Sequence, residues 1–409
     1  MLALFAPVAK VEGRDKFLIV GAGSTGTSIA YHLASMGLKV TVIEENAVAA
    51  GNTGKSSALV RTHYSNRIIA GMSLYSLKFF ENFNSIGYSG FTKTGMIFPF
   101  DEKYANVARD NVAMLRDIGI NEQEIAPADI RKFYPDVNLD GYDYVTYEPD
   151  SGYADPVSTA NSFMSRAKEL GANLILKKSV RSVESTRSGP EVELSDGTKI
   201  RGEKIILATN VWTNDILARS GISSQKLLPI TASMHSIIYL RRPEEYRGPK
   251  PTLWDPHQLA YYKMEGSSIT AVGSLDPAVD EQPVDIHSNL PETADQDYIE
   301  EYLPRIAKRL PSMGKATLIS TLNGLYDMSP DGQVICDELS SEGLDSVYVF
   351  AGLSGHGFKL SPAYGRMVAD MLVEKHPEEC EFDWRPFGKD RFRTGNLITS
   401  RYSEIGTIY

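Results

Sequence analysis

The segment Phe17-Leu-Ile-Val-Gly21-Ala-Gly23-Ser24-Thr25-Gly26 constrains this chain more than any other. Apolar residues suited to a buried strand run straight into a glycine-rich turn. Helical periodicity follows, with Ile29, Leu33 and Met36 on one face, small Ala30 and Ala34, and Gly37 as a natural stop. A second apolar strand over residues 38–43 ends on Glu44. In a dinucleotide site the three glycines have separate tasks: a tight turn at Gly21, close approach of backbone to pyrophosphate at Gly23, and close helix-to-strand packing at Gly26. The pyrophosphate then rests on free amides at the helix N-terminus, around Ser24 and Thr25. Glu44, roughly 20 residues beyond the turn, stands where a ribose hydroxyl needs an acceptor, and its charge repels the extra phosphate of NADP.

At 409 residues the chain exceeds the size at which one core stops growing, so two domains are expected. The 42 basic residues against 52 acidic ones leave a formal charge of -10, which argues against a general nucleic-acid binder. Two cysteines, Cys336 and Cys380, lack metal-ligand spacing, so no metal is expected and a reducing compartment is favoured. The opening residues 1–9 are apolar but short, without a basic leader, and contain Pro7. No segment approaches the roughly 20 apolar residues of a membrane span, so a cytoplasmic location is the expectation.

Further along, the loop Gly51-Asn-Thr-Gly54-Lys55-Ser56-Ser57 has the composition of a connector that sets amides and hydroxyls near phosphate or ribitol. A helix is expected over about 68–86. From about residue 90 to 145 short strands mix with a charged helix, which reads as an excursion into another domain. The chain returns near 150, with a helix over 157–170, a strand over 173–176, and a hairpin of 180–184 with 191–194 whose turn is assigned to Ser195-Asp196-Gly197. Val180 opens that hairpin beside the expected nucleotide. The strand Lys204-Ile-Ile-Leu207 ends in Ala208-Thr209-Asn210, where Asn210 is able to take the left-handed conformation that lets backbone approach the nucleotide. Residues 225–322 are strand-rich again. The last return is Val347-Tyr-Val-Phe350, followed by Gly352-Leu-Ser-Gly355-His356-Gly357-Phe358-Lys359 and a helix with Ser361 as N-cap and Pro362 at its first position.

These pieces, in this order, resemble the flavoprotein amine oxidoreductases of the D-amino-acid oxidase superfamily, most closely the sarcosine oxidase branch. The Ser-Gly-His-Gly-Phe-Lys string is the most specific match. The resemblance implies an α/β fold in which a Rossmann-type FAD-binding domain (residues 1–90, 150–224 and 323–409) is interrupted twice by an α+β substrate domain with a mainly antiparallel sheet (91–149 and 225–322). It implies bound FAD, held by Gly21, Gly23, Ser24, Thr25, Gly26, Glu44, Ser56, Ser57, Val180, Ala208 and Thr209. The Gly352, Gly355, His356, Gly357, Phe358 and Lys359 loop would complete the cradle. Arg61 and Lys359 match cations that hold a substrate carboxylate, for which arginine offers two parallel hydrogen bonds and lysine a point charge. Tyr326 and Tyr261 match aromatic residues lining the substrate side.

Departures from the pattern matter equally. Gly324 stands where sarcosine oxidases carry a cysteine tether to the flavin. Thr270 or Ala271 stands where the oxygen-activating lysine is expected, so a dehydrogenase is favoured over an oxidase. The expected reaction is removal of a hydride from the carbon next to nitrogen in a small secondary or N-methyl amino acid of the sarcosine, dimethylglycine or proline type, giving an imine that hydrolyses. The expected partners are that substrate and an electron acceptor or partner subunit, with neither nucleic acid nor membrane span. The alternatives are a flavin-binding electron-transfer or assembly subunit, and the same fold acting on a hydroxy acid or glycerol phosphate.

Overall fold

The computed structural model describes residues 16–402. Among these, the strands gather into a six-stranded sheet, an eight-stranded sheet and two three-stranded sheets. The six-stranded sheet runs in the order Ile335–Leu339, Leu344–Ala351, Lys204–Leu207, Lys16–Val20, Lys39–Glu44, Asn173–Leu176, and all neighbours are parallel except the first pair. Parallel strands are covered on both faces, which is why their sequences read as continuous apolar runs. On one face the helices Ser24–Ser35, Pro156–Glu169 and Ser361–Leu372 bury Phe17, Ile19, Val40 and Val42. On the other, Leu18, Val20, Ile205 and Leu207 meet a small antiparallel sheet, Val180–Thr186, Gly189–Leu194 and Lys199–Arg201, together with the helix Thr213–Arg219.

Two local expectations are corrected here. Ser195-Asp196-Gly197 joins the second and third strands of the small sheet, whereas the first two pair from Thr186 to Gly189 around a two-residue turn at 187–188. Both turns end in a glycine with positive φ, +109° at Gly189 and +81° at Gly197, so composition alone did not separate them. The late helix has Leu360, not Ser361, at its N-cap. Leu360 is already in the right-handed helical region because the preceding loop coils tightly, with Leu360 N donating to His356 O at 3.2 Å, and Ser361 becomes the first helical residue.

The eight-stranded sheet is mainly antiparallel, in the order Thr317–Met328, Thr231–Arg241, Ile269–Ser274, Ala260–Glu265, Thr252–Asp255, Met96–Phe100, Tyr144–Glu148, Gln123–Ile125. Its single parallel contact joins Thr252–Asp255 to Met96–Phe100, two segments from the two excursions of the chain. The helix Gln296–Arg309 packs Tyr298, Tyr302 and Ile306 against one face of it. A third sheet, Leu59–Val60, Gly152–Tyr153 and Thr92–Lys93, stitches the crossings between the two large sheets and leads directly into Arg61. Gly152 is required there, since a Cβ would lie 2.0 Å from Thr92 O.

Among the described residues no helix is long and apolar enough to cross a membrane, no group of side chains is arranged to hold a metal, and both cysteines are free. The expectation for residues 1–9 lies outside the described residues.

Candidate functional site

The C-terminal ends of the parallel strands open onto a cavity of about 750 Å³ that continues to the edge of the eight-stranded sheet. The glycine turn forms one end. Gly21 has φ +103°, and a Cβ there would meet Ala208 O at 2.5 Å. A Cβ on Gly26 would lie 2.0 Å from Gly21 O, so helix and turn approach as only glycine permits. Gly23 is the N-cap of the helix, and Ser24 N, which has no partner within the helix, donates to Thr53 Oγ1 at 3.0 Å. Glu44 completes this end: Oε2 accepts from Ala22 N at 2.9 Å and Oε1 from Asn46 N at 2.8 Å. Each oxygen keeps a lone pair for a further donor.

Gly21, Gly23, Ser24, Thr25, Gly26 and Glu44 all line the cavity, as do Ser56, Ser57, Val180, Ala208 and Thr209. Gly355, Gly357, Phe358 and Tyr326 line it at the other end. Arg61, Tyr261, Gly352, His356 and Lys359 stand behind that wall. Asn210, at φ +53°, is in the left-handed region and itself lines the cavity.

Segments far apart in sequence are locked together by a hydrogen-bonded ring that the sequence did not reveal. Asn52 Nδ2 donates to Asn210 Oδ1 at 2.8 Å, Asn210 Nδ2 donates to Asp327 Oδ1, and Leu325 N donates to Asn52 Oδ1 at 2.9 Å. Asp327 Oδ2 also accepts from Gly352 N at 2.6 Å, fixing the start of the late glycine loop. Burial raises the Asp327 carboxyl to about 7, against the pull of these donors. The loop then lies flush on Tyr326, with a Cβ at Gly355 3.0 Å from its ring.

Four nearly parallel rings cross the eight-stranded sheet beside the loop. Trp254 and Tyr261 are 6.4 Å apart, Tyr261 and His235 6.2 Å, and His235 and Tyr326 4.6 Å, with interplanar angles of 16°, 7° and 15°. The row exists because Gly273, on the intervening strand, has no side chain: a Cβ would sit 2.4 Å from the Tyr261 ring. His235 lines the cavity, its Nδ1 is 3.0 Å from Asp280 Oδ1, and its Nε2 has no partner among the described residues. Sequence reasoning missed both His235 and Asp280. The alternation Ser233, His235, Ile237 marked one face of a strand, but which rings flank it depends on a register set by distant segments.

Behind the row lie the two expected cations. Arg61 is 3% exposed, donates to His63 O, and stacks 4.1 Å from the Tyr64 ring and 5.5 Å from that of Trp254. Lys359 Nζ donates to Gly355 O at 2.9 Å. Burial, with Arg61 nearby, draws the Lys359 ammonium well below the ordinary lysine range, and the same two causes keep His356 neutral alongside Lys359 itself. Tyr64 Oη meets His356 Nδ1 at 2.9 Å, tying the Arg61 segment to the late loop. Among the described residues neither Arg61 nor Lys359 forms a salt bridge.

The residues present suit a flavin dinucleotide. The cavity lies within the range of ligand sites, roughly 300–1,000 Å³. The glycine cradle supplies amides to a pyrophosphate, and Thr25 Oγ1 is buried without a partner among the described residues. Glu44 awaits a ribose, and no cysteine stands at Gly324 to form a tether.

Comparison with known proteins agrees with this geometry. The chain is 25% identical to FAD-dependent oxidoreductase domain-containing protein 1 of Bos taurus, over 93% of this chain and 85% of that one. It is 23% identical to the mitochondrial dimethylglycine dehydrogenase of Homo sapiens over 96% of its own length, but spans only 46% of that relative. Its fold matches the crystal structure of L-proline dehydrogenase from P. horikoshii with a TM-score of 0.82 and 24% identity, covering 95% of this chain and 100% of that one. The family model described as DAO, FAD dependent oxidoreductase, matches residues 16–371, which include the glycine cradle, the aromatic row and the late loop, and the chain therefore belongs to that family.

Proposed function

We propose that the protein oxidises a small secondary or N-methyl amino acid, of the sarcosine, dimethylglycine or proline type, at the carbon next to nitrogen. The observation that carries this reading is the buried Arg61 guanidinium and the half-buried Lys359 ammonium, neither in a salt bridge among the described residues, behind the wall that Tyr326 and the late loop give the cavity. A buried cation without a counter-ion is costly, and a carboxylate would relieve it through charge-assisted hydrogen bonds. FAD, when bound, supplies the hydride acceptor. The chain's own residues do the rest.

Arg61 and Lys359 anchor the carboxylate, so that the adjoining C–H is held in one orientation, and positioning of this kind supplies much of the rate when a cofactor owns the chemistry. Tyr326 and Tyr261 form an apolar boundary that keeps water away, and burial holds both phenols protonated. With Nδ1–H donated to Asp280, His235 Nε2 is left as an acceptor without a partner among the described residues, and it takes the proton that the substrate amine must lose. Hydrolysis of the imine by water completes the reaction.

A dehydrogenase is favoured over an oxidase. Thr270 and Ala271 are fully buried in the sheet, and Thr270 Oγ1 contacts Met264 Sδ. The neighbouring Lys263 is paired with Glu265 at 2.9 Å and donates to Ser57 O at 2.7 Å. Human dimethylglycine dehydrogenase and mouse sarcosine dehydrogenase, by their names, are dehydrogenases of such substrates.

The test is anaerobic titration of the FAD-loaded protein with sarcosine, dimethylglycine, proline and a hydroxy acid, followed by absorbance. At least one of the three amino acids should bleach the flavin. Bleaching by the hydroxy acid alone, or by none of them in a protein shown to hold FAD, would overturn the reading.

A further inference from the structure

Residues 59–65 are all buried, yet beyond Val60 they form no strand or helix. A buried irregular segment needs side chains to satisfy its backbone. Glu148 provides the main support: Oε1 accepts from Thr62 N at 3.0 Å and from Thr62 Oγ1, while Oε2 accepts from Ser151 Oγ at 2.7 Å. Ser73 Oγ donates to Thr62 O at 3.3 Å, and Glu122 Oε1 lies 3.1 Å from His63 Nδ1. His63 in turn gives its carbonyl to the Arg61 guanidinium. Arg61 thus rests on two residues, each held by a different buried carboxyl group.

Those carboxyl groups come from the far edge of the eight-stranded sheet, Glu148 at the end of Tyr144–Glu148 and Glu122 beside Gln123–Ile125, and they are 1% and 2% exposed. We infer that Glu148 positions Arg61 through Thr62, and that Glu122 and Glu148 share one proton whose loss adds negative charge behind Arg61 and weakens its hold on a substrate carboxylate. This inference rests on the carboxylate-binding role proposed above.

Two carboxylates so deep and so close do not both ionise readily. Burial raises Glu122 to about 8, and burial together with the neighbouring Glu122 raises Glu148 to about 7. The groups facing the pair do not replace that proton. His63 is kept neutral by burial, lowered to about 4, between the Phe98 and Tyr402 rings. The phenols of Tyr64 and Tyr402 are raised by burial and stay protonated. Arg61 and Arg116 are permanent cations, the latter bonded through Nε to Glu122 O at 2.8 Å. Thr146, Asn111 and Ser151 are uncharged. Lys359 is drawn down by burial and by Arg61, with no part from Glu122, so its contribution survives removal of Glu122.

The experiment measures binding of acetate to the FAD-loaded protein, by calorimetry and by perturbation of the flavin spectrum, from about pH 6 to about pH 9. Acetate has a carboxylate and no amine. In the wild type Kd should rise about tenfold over this range, the effect of one added charge near Arg61. In Glu122→Gln most of that rise should vanish. In Glu148→Gln Kd should be raised at every pH with FAD content unchanged. Glu148→Asp, which keeps both acceptor oxygens for Thr62 and Ser151, should restore part of the affinity.

An unchanged pH slope in Glu122→Gln, with acetate still bound, overturns the shared-proton inference and leaves the proposed function intact. Acetate that fails to bind the wild type at any pH overturns both. Infrared difference spectra of the wild type supply a measurement that needs no variant. A protonated-carboxyl band should be present at low pH and lost towards high pH, and its absence at about pH 6 also overturns the inference.

Discussion

The His235 imidazole lies 3.0 Å from Asp280 through Nδ1 and is stacked 4.6 Å from the Tyr326 ring. The carboxylate fixes both the tautomer and the plane of the ring, so Nε2 is left as the acceptor, without a partner among the described residues. Asp280→Asn keeps the size of the side chain but lets its amide donate, which selects the other tautomer. The expected result is a loss of about tenfold or more in the rate of flavin reduction, with FAD content unchanged. Stopped-flow reduction and the absorbance ratio of flavin to protein check the two parts.

Arg61 is surrounded by rings and backbone and does not touch the glycine cradle. Arg61→Ala should therefore raise KM for the amino acid, by about 100-fold for loss of a charged, desolvated contact, while FAD stays bound. Equal loss of both would assign Arg61 to folding.

At Gly26 there is no room for a methyl group, because the Gly21 carbonyl lies 2.0 Å from where it would stand. Gly26→Ala should destabilise the protein by about 3 kcal/mol through strain between turn and helix. The purified variant should be colourless, with a lowered Tm that added FAD does not restore.

The Glu44 carboxylate is shared between Ala22 N and Asn46 N and still faces the cavity. Glu44→Gln replaces one acceptor oxygen with a donor that opposes a backbone amide. Affinity for FAD should fall about tenfold, close to the worth of one hydrogen bond to a charged group, measured by quenching of FAD fluorescence.

Stability should respond to pH through the same buried acids that support Arg61. A carboxyl whose folded pKa is raised makes the native state bind more protons than the unfolded chain between about 4.5 and its own value, so stability falls as pH rises through that window. For Glu122 the window extends to about 8. His63, lowered to about 4, acts on the acid side, where stability falls as pH drops below its unfolded value. Glu122→Gln should gain Tm relative to the wild type as pH is raised from about 6 to about 9, read by calorimetry. A constant offset across that range would contradict the assignment.

The parts of the site that were legible in the sequence are those fixed by local geometry. Gly21, Gly23 and Gly26 sit in one turn, Glu44 ends the next strand, and Asn210 terminates another, so spacing alone placed them. The aromatic row was not legible, because Trp254, Tyr261, His235 and Tyr326 come from four strands and meet only through sheet register and the gap at Gly273. Asp327 adjoins Tyr326, which the resemblance marked, but its bonds run to Asn210 and Gly352, two segments that sequence order keeps far apart. Arg61 follows Leu59 and Val60, buried as apolar residues commonly are, whereas its reliance on Glu122 and Glu148 depends on a strand edge assembled from the first excursion of the chain.

The parallel sheet seats Leu207 between Val20 and Val349. The cradle at Gly21 therefore lacks its outer walls until the strand Leu344–Ala351 and the loop after it have been synthesised and docked, which is a long-range closure and a slow one. A nascent chain stopped short of that strand has every residue of the dinucleotide fingerprint and nowhere to keep the nucleotide. Yellow colour in a preparation is thus a report that the strand Leu344–Ala351 and its loop have docked on the much earlier glycine turn.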